Sequence, residues 1–318
     1  MSHTAILFII NHRIFMIKEK KELALQEKKQ AAFISVLAAI VLTGFKLVIG
    51  LATNSLGILS EALHSGLDLV AAVITYFSVR VSDRPADEKH NYGHGKIENF
   101  SALMETILLL ITCTWIIYEA INRLVSNETD IKISIWSYIV VITSILIDIN
   151  RSRMLYRVAK KHNSQALEAD ALHFSTDIWS SAVVLFGLIC ANFGFFAADS
   201  IAALVVAAIV LLVSYKLGKK AIDVLLDRAP IDTVAIVKDT LASFSDVKAY
   251  HNLKVRTAGA DTFIKVNIHL DPNLQFEEIH GLCNRIEETV HSIIPRSELY
   301  LHPEPQNIIH LDADLIEN

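Results

Sequence analysis

Six stretches of this chain stay apolar for about 20 residues or more, the length an α-helix needs to cross the hydrocarbon layer of a bilayer. They fall at 31–53, 56–80, 98–123, 134–156, 167–192 and 197–217. Backbone polar groups cannot be left unpaired in hydrocarbon, so such a chain is restricted over most of its length to a bundle of membrane helices. The composition agrees, with 53% hydrophobic and 20% charged residues; soluble chains average about 45–50% and about 25%. The net charge of −5 is mild, and no basic stripe offers a nucleic acid a surface. Cys113, Cys190 and Cys283 form no CxxC pair, and the first two lie in apolar stretches as small packing residues.

The connections around Thr53–Ser55 and Asn192–Ala197 are so short that the helices they join are antiparallel neighbours. Lys and Arg mark the cytoplasmic side. They cluster before the first span (Arg13, Lys18, Lys20, Lys21, Lys28, Lys29), after the second (Arg84, Lys89, Lys96), after the fourth (Arg151, Arg153, Arg157, Lys160, Lys161) and after the sixth (Lys216, Lys219, Lys220). The opposite loops hold only Arg123 and Lys132, so both termini are expected in the cytoplasm of a cell whose plasma (inner) membrane holds the chain. Residues 1–30 read as a cytoplasmic tail. Its first 15 residues read as an addition ahead of a natural start at Met16, with an interfacial helix as the alternative.

After Asp227 the character changes, and Pro230 breaks the last membrane helix. Ile231–Phe244 is an amphipathic helix, Tyr250–Thr257 and Thr262–Asp271 are strands joined by an Ala-Gly-Ala turn, Phe276–Ile294 is a second helix and Ser297–Glu304 a third strand. In the second strand Ile264, Val266, Ile268 and Leu270 face one way, and Lys265, Asn267, His269 and Asp271 the other. The order αββαβ suits a ferredoxin-like α+β sandwich of sheet and helices over 228–305, followed by a flexible tail at 306–318. Three strands leave open edges and little core, so this domain is expected to dimerise.

The chemistry lies inside the membrane region, 31–227. His64 and Asp68 are four residues apart in span two and share a helix face; His173 and Asp177 repeat the spacing in span five. The two spans run in opposite directions, yet both pairs land near mid-membrane. Two carboxylates balance a 2+ ion in a low dielectric, and two neutral imidazoles complete four-coordinate zinc. A charged side chain at the centre of a membrane helix costs about 2.5–3.5 kcal/mol on insertion scales, which weighs against these aspartates being only polar glue between helices. A metal must displace a histidine proton to bind, so the same atoms outline metal–proton exchange. Glu61, one turn above His64, is either a partner that orients the imidazole or a polar residue at headgroup level.

The segments SEALHSGLD, RPADEKHNYGHGKIE, EADALHFSTD and LLDRAP together resemble the cation diffusion facilitator family, within it most nearly the bacterial zinc and ferrous-iron efflux proteins, from about residue 30 onward. The resemblance implies a homodimer with six spans per subunit, a cytoplasmic domain of the fold read above, and exchange of cytoplasmic metal for protons by alternating access. It maps the transport site onto His64, Asp68, His173 and Asp177. Some members have Asp where His64 stands, and that more acidic form tolerates cadmium; His64 points to zinc, with iron(II) and cobalt(II) as alternatives. A second site maps onto Asp87, His90 and His94, with Gly93 and Gly95 letting the loop bend. A third maps onto His251, His269, His280, His302 and Glu304; members often have Asp at the last position, and Pro303 also departs from the pattern. Lys96 and Asp227 match a charge pair that links span three to the soluble domain, and His310, Asp312 and Asp314 read as a solvated acidic tail.

Two other classes are weighed against transport. A membrane metalloenzyme would need a coordination position left open, and neither HExxH nor a nucleophile elbow occurs; the chain is therefore read as not an enzyme. A metal sensor or scaffold would bind ions without moving them, and two intact HxxxD motifs argue against it.

Overall fold

The first glycine of the chain is Gly44 and the first proline Pro85, and nothing before them interrupts a helix. Helix α1 accordingly runs unbroken over His3–Thr53 in the computed structural model, which describes residues 3–53, 56–126, 135–192, 197–306 and 316–317. The expected N-terminal tail is thus largely a continuation of the first helix. Helices α2 (Leu56–Ser82), α3 (Lys96–Ser126), α4 (Ile135–His162), α5 (Gln165–Asn192) and α6 (Ala197–Leu225) follow, one on each expected span. Among the described residues, three segments are long and apolar enough to cross a membrane: Glu22–Ala52, Ala62–Ser82 and Lys96–Asn122. Helix α4 is diluted by Asp148, Arg151 and Arg153, and α5 by Glu168, Asp170 and Asp177.

The chain divides into two units, Met1–Ala221 and Ile222–Asn318. In the first, α1 packs most extensively on α2, α4 on α5, and α1 on α4. The core between them is made of small residues, Ala31, Ala32, Ala72, Ala159 and Ala166 among them, closed by Leu155 and Phe174. Small side chains let membrane helices approach closely. A second core joins α3 to α6 through Leu109, Cys113, Val206 and Val210. The Cys113 Sγ–H donates to the Ala207 carbonyl at 3.2 Å. A Cβ on Gly218 would stand 3.0 Å from the Thr106 methyl, so a larger residue here would have to push that methyl back by a few tenths of an ångström. Large apolar groups such as Val48, Leu63 and Trp115 face outward.

At one end of the bundle a buried ionic knot ties four elements together. Lys28 of α1 donates to Glu98 Oε1 of α3 at 2.9 Å and pairs with Asp83 just past α2. Ser82 donates to Glu98 Oε1 at 3.1 Å, and Ser164, just before α5, to Glu98 Oε2 at 2.6 Å. Lys28 was counted above among basic residues outside the span; it is buried inside the bundle. Arg151 likewise lies not in a loop but within α4, 3% exposed, with its guanidinium 3.5 Å from the Phe174 ring centroid.

In the second unit, α7 (Ile231–Ala242) and α8 (Phe276–Ile293) pack on a sheet of order β3-β2-β1-β4. Strands β1 (Ala249–Ala258) and β2 (Asp261–Leu270) are antiparallel, joined at Gly259 with φ 61°; β3 (Ser297–Pro305) runs parallel to β2. Ile264, Val266, Ile268 and Leu270 are buried against Leu241 and Ile286, as the alternation in β2 requires. Helix α8 starts on a capping box in which Glu278 accepts the Gln275 N–H at 2.9 Å. Two residues of the expected tail, Ile316–Glu317, form β4 on the open edge of β1; His310, Asp312 and Asp314 lie outside the described residues.

Removing one partner of a buried ion pair leaves the other charge uncompensated, at about 3–5 kcal/mol. Glu98→Ala is therefore expected to lower the melting temperature of the detergent-solubilised protein sharply. Lys160→Ala, at a pair whose lysine is 55% exposed, should move it little, since exposed pairs contribute about 0–1 kcal/mol. Equal melting temperatures for the two variants would contradict this account of the knot.

Candidate functional site

Helices α2 and α5 cross with their HxxxD faces toward each other, and the four side chains meet. His173 Nε2 lies 3.1 Å from Asp68 Oδ1 and 3.6 Å from Asp177 Oδ2. His64 Nε2 lies 3.7 Å from Asp177 Oδ1 and 4.0 Å from Asp68 Oδ1. Each imidazole thus reaches both carboxylates, its own helix's and the facing one. Zinc bound at about 2.0–2.1 Å in a tetrahedron needs donors about 3.3 Å apart. The four distances bracket that value; the donor atoms of His64, Asp68 and Asp177 all lie within 4.8 Å of one another, and His173 reaches both carboxylates from the buried side. Glu61 has its side chain outside the described residues.

Among the described residues, a cavity reaches the site from one end. It is lined by His64, Asp68 and Asp177 together with Lys46, Ser65, Asp148, Ser180 and Ser181. Ser65 precedes Asp68 on α2 and Ser180 follows Asp177 on α5, so the opening faces the end where α1 connects to α2. The His64 side chain is 32% exposed there, while that of His173 is 2% exposed. On the other side the layer is closed. Arg151 donates to Asp148 at 3.3 Å and to Ser35 at 3.2 Å; Ser35 donates to Asp170 at 3.3 Å, and Thr75 to Glu105 at 2.9 Å.

None of Lys46, Glu105, Asp148 or Asp170 was singled out from the sequence. The signal was present: an ionisable residue inside a membrane span is a functional candidate by default, and each of these lies in one of the six apolar stretches. The HxxxD repeat drew attention away from singletons.

The loop after α2 gathers Asp87, His90 and His94, whose donor atoms lie within 4.8 Å of one another. His90 Nδ1 is 3.1 Å from Asp87 Oδ1, and His94 Nε2 is 3.5 Å from Asp87 Oδ2. Backbone N–H groups of His90 and Lys89 donate to Asp87 at 2.7 and 2.9 Å. The His90 N–H above all holds this carboxyl below its ordinary range, which keeps it ionised. Gly93, with φ 74°, makes the bend.

In the second unit a bulge sets the third cluster. The β1–β2 register shifts between His251 and Lys254, where Asn252 takes φ 57°. This places His251 Nδ1 3.0 Å from His269 Nε2. Parallel pairing sets Glu304 of β3 beside His269, and its Oε2 lies 3.7 Å from His269 Nε2 and 3.8 Å from His251 Nε2. Asn267 donates to Glu304 Oε1 at 2.7 Å. His302 Nε2 stands 3.5 Å from Glu304 Oε1 at the rim. Pro303 is accommodated because β3 is an edge strand. His280 stays on exposed α8 with Asn284 and does not join His251, His269 and Glu304. Lys96 opens α3 in the first unit, whereas Asp227 belongs to the second, where it pairs with Arg256 at 3.5 Å.

Apolar-faced helices that enclose two imidazoles and two carboxylates define a membrane carrier of metal cations. The chain belongs to the cation diffusion facilitator family of cation efflux proteins: the cation efflux transmembrane domain matches residues 32–226, and the cation efflux protein cytoplasmic domain matches residues 229–306. The cation-efflux pump FieF of Serratia proteamaculans is 30% identical over 284 residues, covering 88% of this chain and 94% of that protein. FieF of Cronobacter sakazakii is 28% identical over 281 residues, covering 88% and 93%. Among solved structures, the metal-bound C-terminal domain of the CzcD transporter from Thermotoga maritima is 22% identical, covering 25% of this chain and 94% of that one, with a TM-score of 0.25.

The third cluster sorts the expected donors by geometry, with His251, His269 and Glu304 together and His280 apart. His269→Ala is expected to abolish zinc binding by the second unit, and His280→Ala to leave it intact, in zinc titrations of the full chain. Loss of that binding in His280→Ala would show that the donors regroup around metal.

Proposed function

We propose that this chain exports a divalent cation, zinc foremost, in exchange for protons by alternating access, as a homodimer with six spans per subunit and both termini on the cytoplasmic side. The observation that carries the reading is the four-donor set at 3.1–4.0 Å, open to one end of the bundle and closed to the other. Relatives described as cation-efflux pumps, matched along nearly their whole length, supply the direction.

Zinc suits the set because two carboxylates neutralise the ion and two imidazoles add nitrogen donors without further charge. Iron(II) and cobalt(II) accept the same donors. Protons enter because an imidazole must be deprotonated to bind metal, so metal and proton exclude each other at the same nitrogen. Six spans are supported by six long helices in the order of the six apolar stretches. Outward-facing Val48, Leu63 and Trp115 support contact with lipid. The basic ends of the even-numbered helices support the orientation. Dimerisation is supported by the matching cytoplasmic domain and by its small two-layer core. The loop and cytoplasmic clusters fit a regulatory role, in which metal fastens the soluble domains when it is plentiful. The alternative, a sensor or scaffold, binds metal with little transport.

The test is flux into proteoliposomes that hold a zinc-sensitive dye, across zinc, iron(II), manganese and cadmium. Zinc uptake should rise with an opposing pH gradient and fall to the protein-free rate in Asp68→Ala and Asp177→Ala. His64→Asp should raise the cadmium-to-zinc rate ratio. Undiminished flux in Asp177→Ala would overturn the site, and tight binding without flux would favour the sensor.

A further inference from the structure

Between residues 31 and 53, helix α1 holds a single basic residue, Lys46. It is 4% exposed, and its Nζ donates to Ser65 Oγ of α2 at 2.8 Å. Ser65 is itself 3% exposed, and its carbonyl accepts the Thr43 hydroxyl at 2.9 Å. Two hydrogen bonds therefore fix α1 to α2 at this turn, and the ammonium has a defined stance. The same side chain lines the cavity of the four-donor site, whose wall also includes His64, Asp68, Asp148 and Asp177.

A fixed cation in the vestibule of a cation site repels the cargo. It is also costly to bury, and a leucine or methionine would fill the same space without that cost. Its charge has a use in the charge balance. Without metal, Asp68 and Asp177 bring two negative charges into a low dielectric, offset by the protons that His64 and His173 take up and by fixed cations; Arg151 lies on the closed side and is engaged by Asp148. The Lys46 ammonium is one of those cations. With zinc bound, the ligand set is already neutral, and the same ammonium adds an unbalanced positive charge beside the ion.

We propose that Lys46 is a tethered counter-cation of the transport site: it stabilises the metal-free site and lowers metal affinity in the conformation open toward the α1–α2 connection, from which cargo is released. The inference rests on the four-residue site proposed above. It also gives the vestibule a direction. An exporter must let go of metal on the side where the ion is more abundant, and a permanent positive charge at that mouth favours departure over rebinding.

The test separates charge from hydrogen bonding. Zinc is titrated against a competing chelator in the purified full chain, following the binding component that Asp177→Ala removes. Lys46→Gln keeps a donor for Ser65 and drops the charge; it should tighten that component by about tenfold or more, since even at an effective dielectric of about 20 a unit charge acts strongly on a nearby dication. Lys46→Arg keeps the charge and should stay near wild type. Ser65→Ala removes the hydrogen bond and leaves the charge; it should shift the affinity little. Unchanged or weaker binding in a folded Lys46→Gln overturns the inference while leaving the site intact. Tightening in Ser65→Ala equal to that in Lys46→Gln assigns the effect to the hydrogen bond and also overturns it. If Asp177→Ala removes no component, the site reading fails and the Lys46 inference with it.

Discussion

Hydrocarbon does not solvate charge, and that penalty organises the helical unit. Most ionisable groups named inside the bundle have a partner on a neighbouring helix: Lys28 with Glu98, Arg151 with Ser35 as well as with Asp148 on its own helix, Glu105 with Thr75, His173 with Asp68. These links join α1, α2, α3, α4 and α5 in layers. The alanines between α1, α2, α4 and α5 bring the backbones close enough for such short side chains as Ser35 and Thr75 to reach across. Packing and electrostatics are therefore one design here. A larger residue at Ala32 or Ala72, both fully buried, would separate the helices and strand the charges.

The layers differ in what they allow. The knot around Glu98 is saturated: its two carboxylate oxygens take Lys28, Ser82 and Ser164. The middle layer is closed but less satisfied, since Glu105 Oε2 and Asp170 Oδ1 are buried without a hydrogen-bond partner among the described residues. The four-donor site is unsatisfied as well. Its imidazoles face its carboxylates across 3.1–4.0 Å, and among the described residues His173 Nδ1 and Asp177 Oδ2 lack hydrogen-bond partners. Unmet hydrogen-bonding capacity thus remains in the middle layer and at the cavity, where an entering cation meets it. On the alternating-access reading, opening the other end means separating α1, α3 and α5 at the knot. The closed state shown here is held by interactions that bound metal does not supply.

Much of this was legible in the chain. The paired HxxxD motifs placed the site because helical periodicity is local: four residues put two side chains on one face whatever the surroundings. The β2 alternation likewise forecast which residues enter the core. What the sequence could not show depends on partners distant along the chain. His269 belongs to the polar face of β2 yet is 2% exposed, because Glu304 arrives from a parallel strand and His251 from a bulge. Arg151 sat among the basic residues of a loop because composition does not reveal that α4 continues to His162 and buries a guanidinium against Phe174. His280 resembled a ligand, but α8 presents it to solvent with Asn284.

The three donor clusters all combine imidazoles with carboxylates and differ chiefly in burial, which is enough to separate how each would treat an ion. In the loop, Asp87 and His90 side chains are 52% and 56% exposed, so an ion held there would keep water in its shell. In the second unit, His251, His269 and Glu304 are 9% exposed or less, with Asn267 donating to Glu304, and an ion held there would be enclosed by the fold. The membrane site lies between, with one wall at His64 open and the other at His173 sealed. Its donors come from two helices that share no backbone hydrogen bonds, so its geometry can change when α2 and α5 move. A carrier needs that combination: donors good enough to strip water from the ion, and a scaffold loose enough to give the ion back.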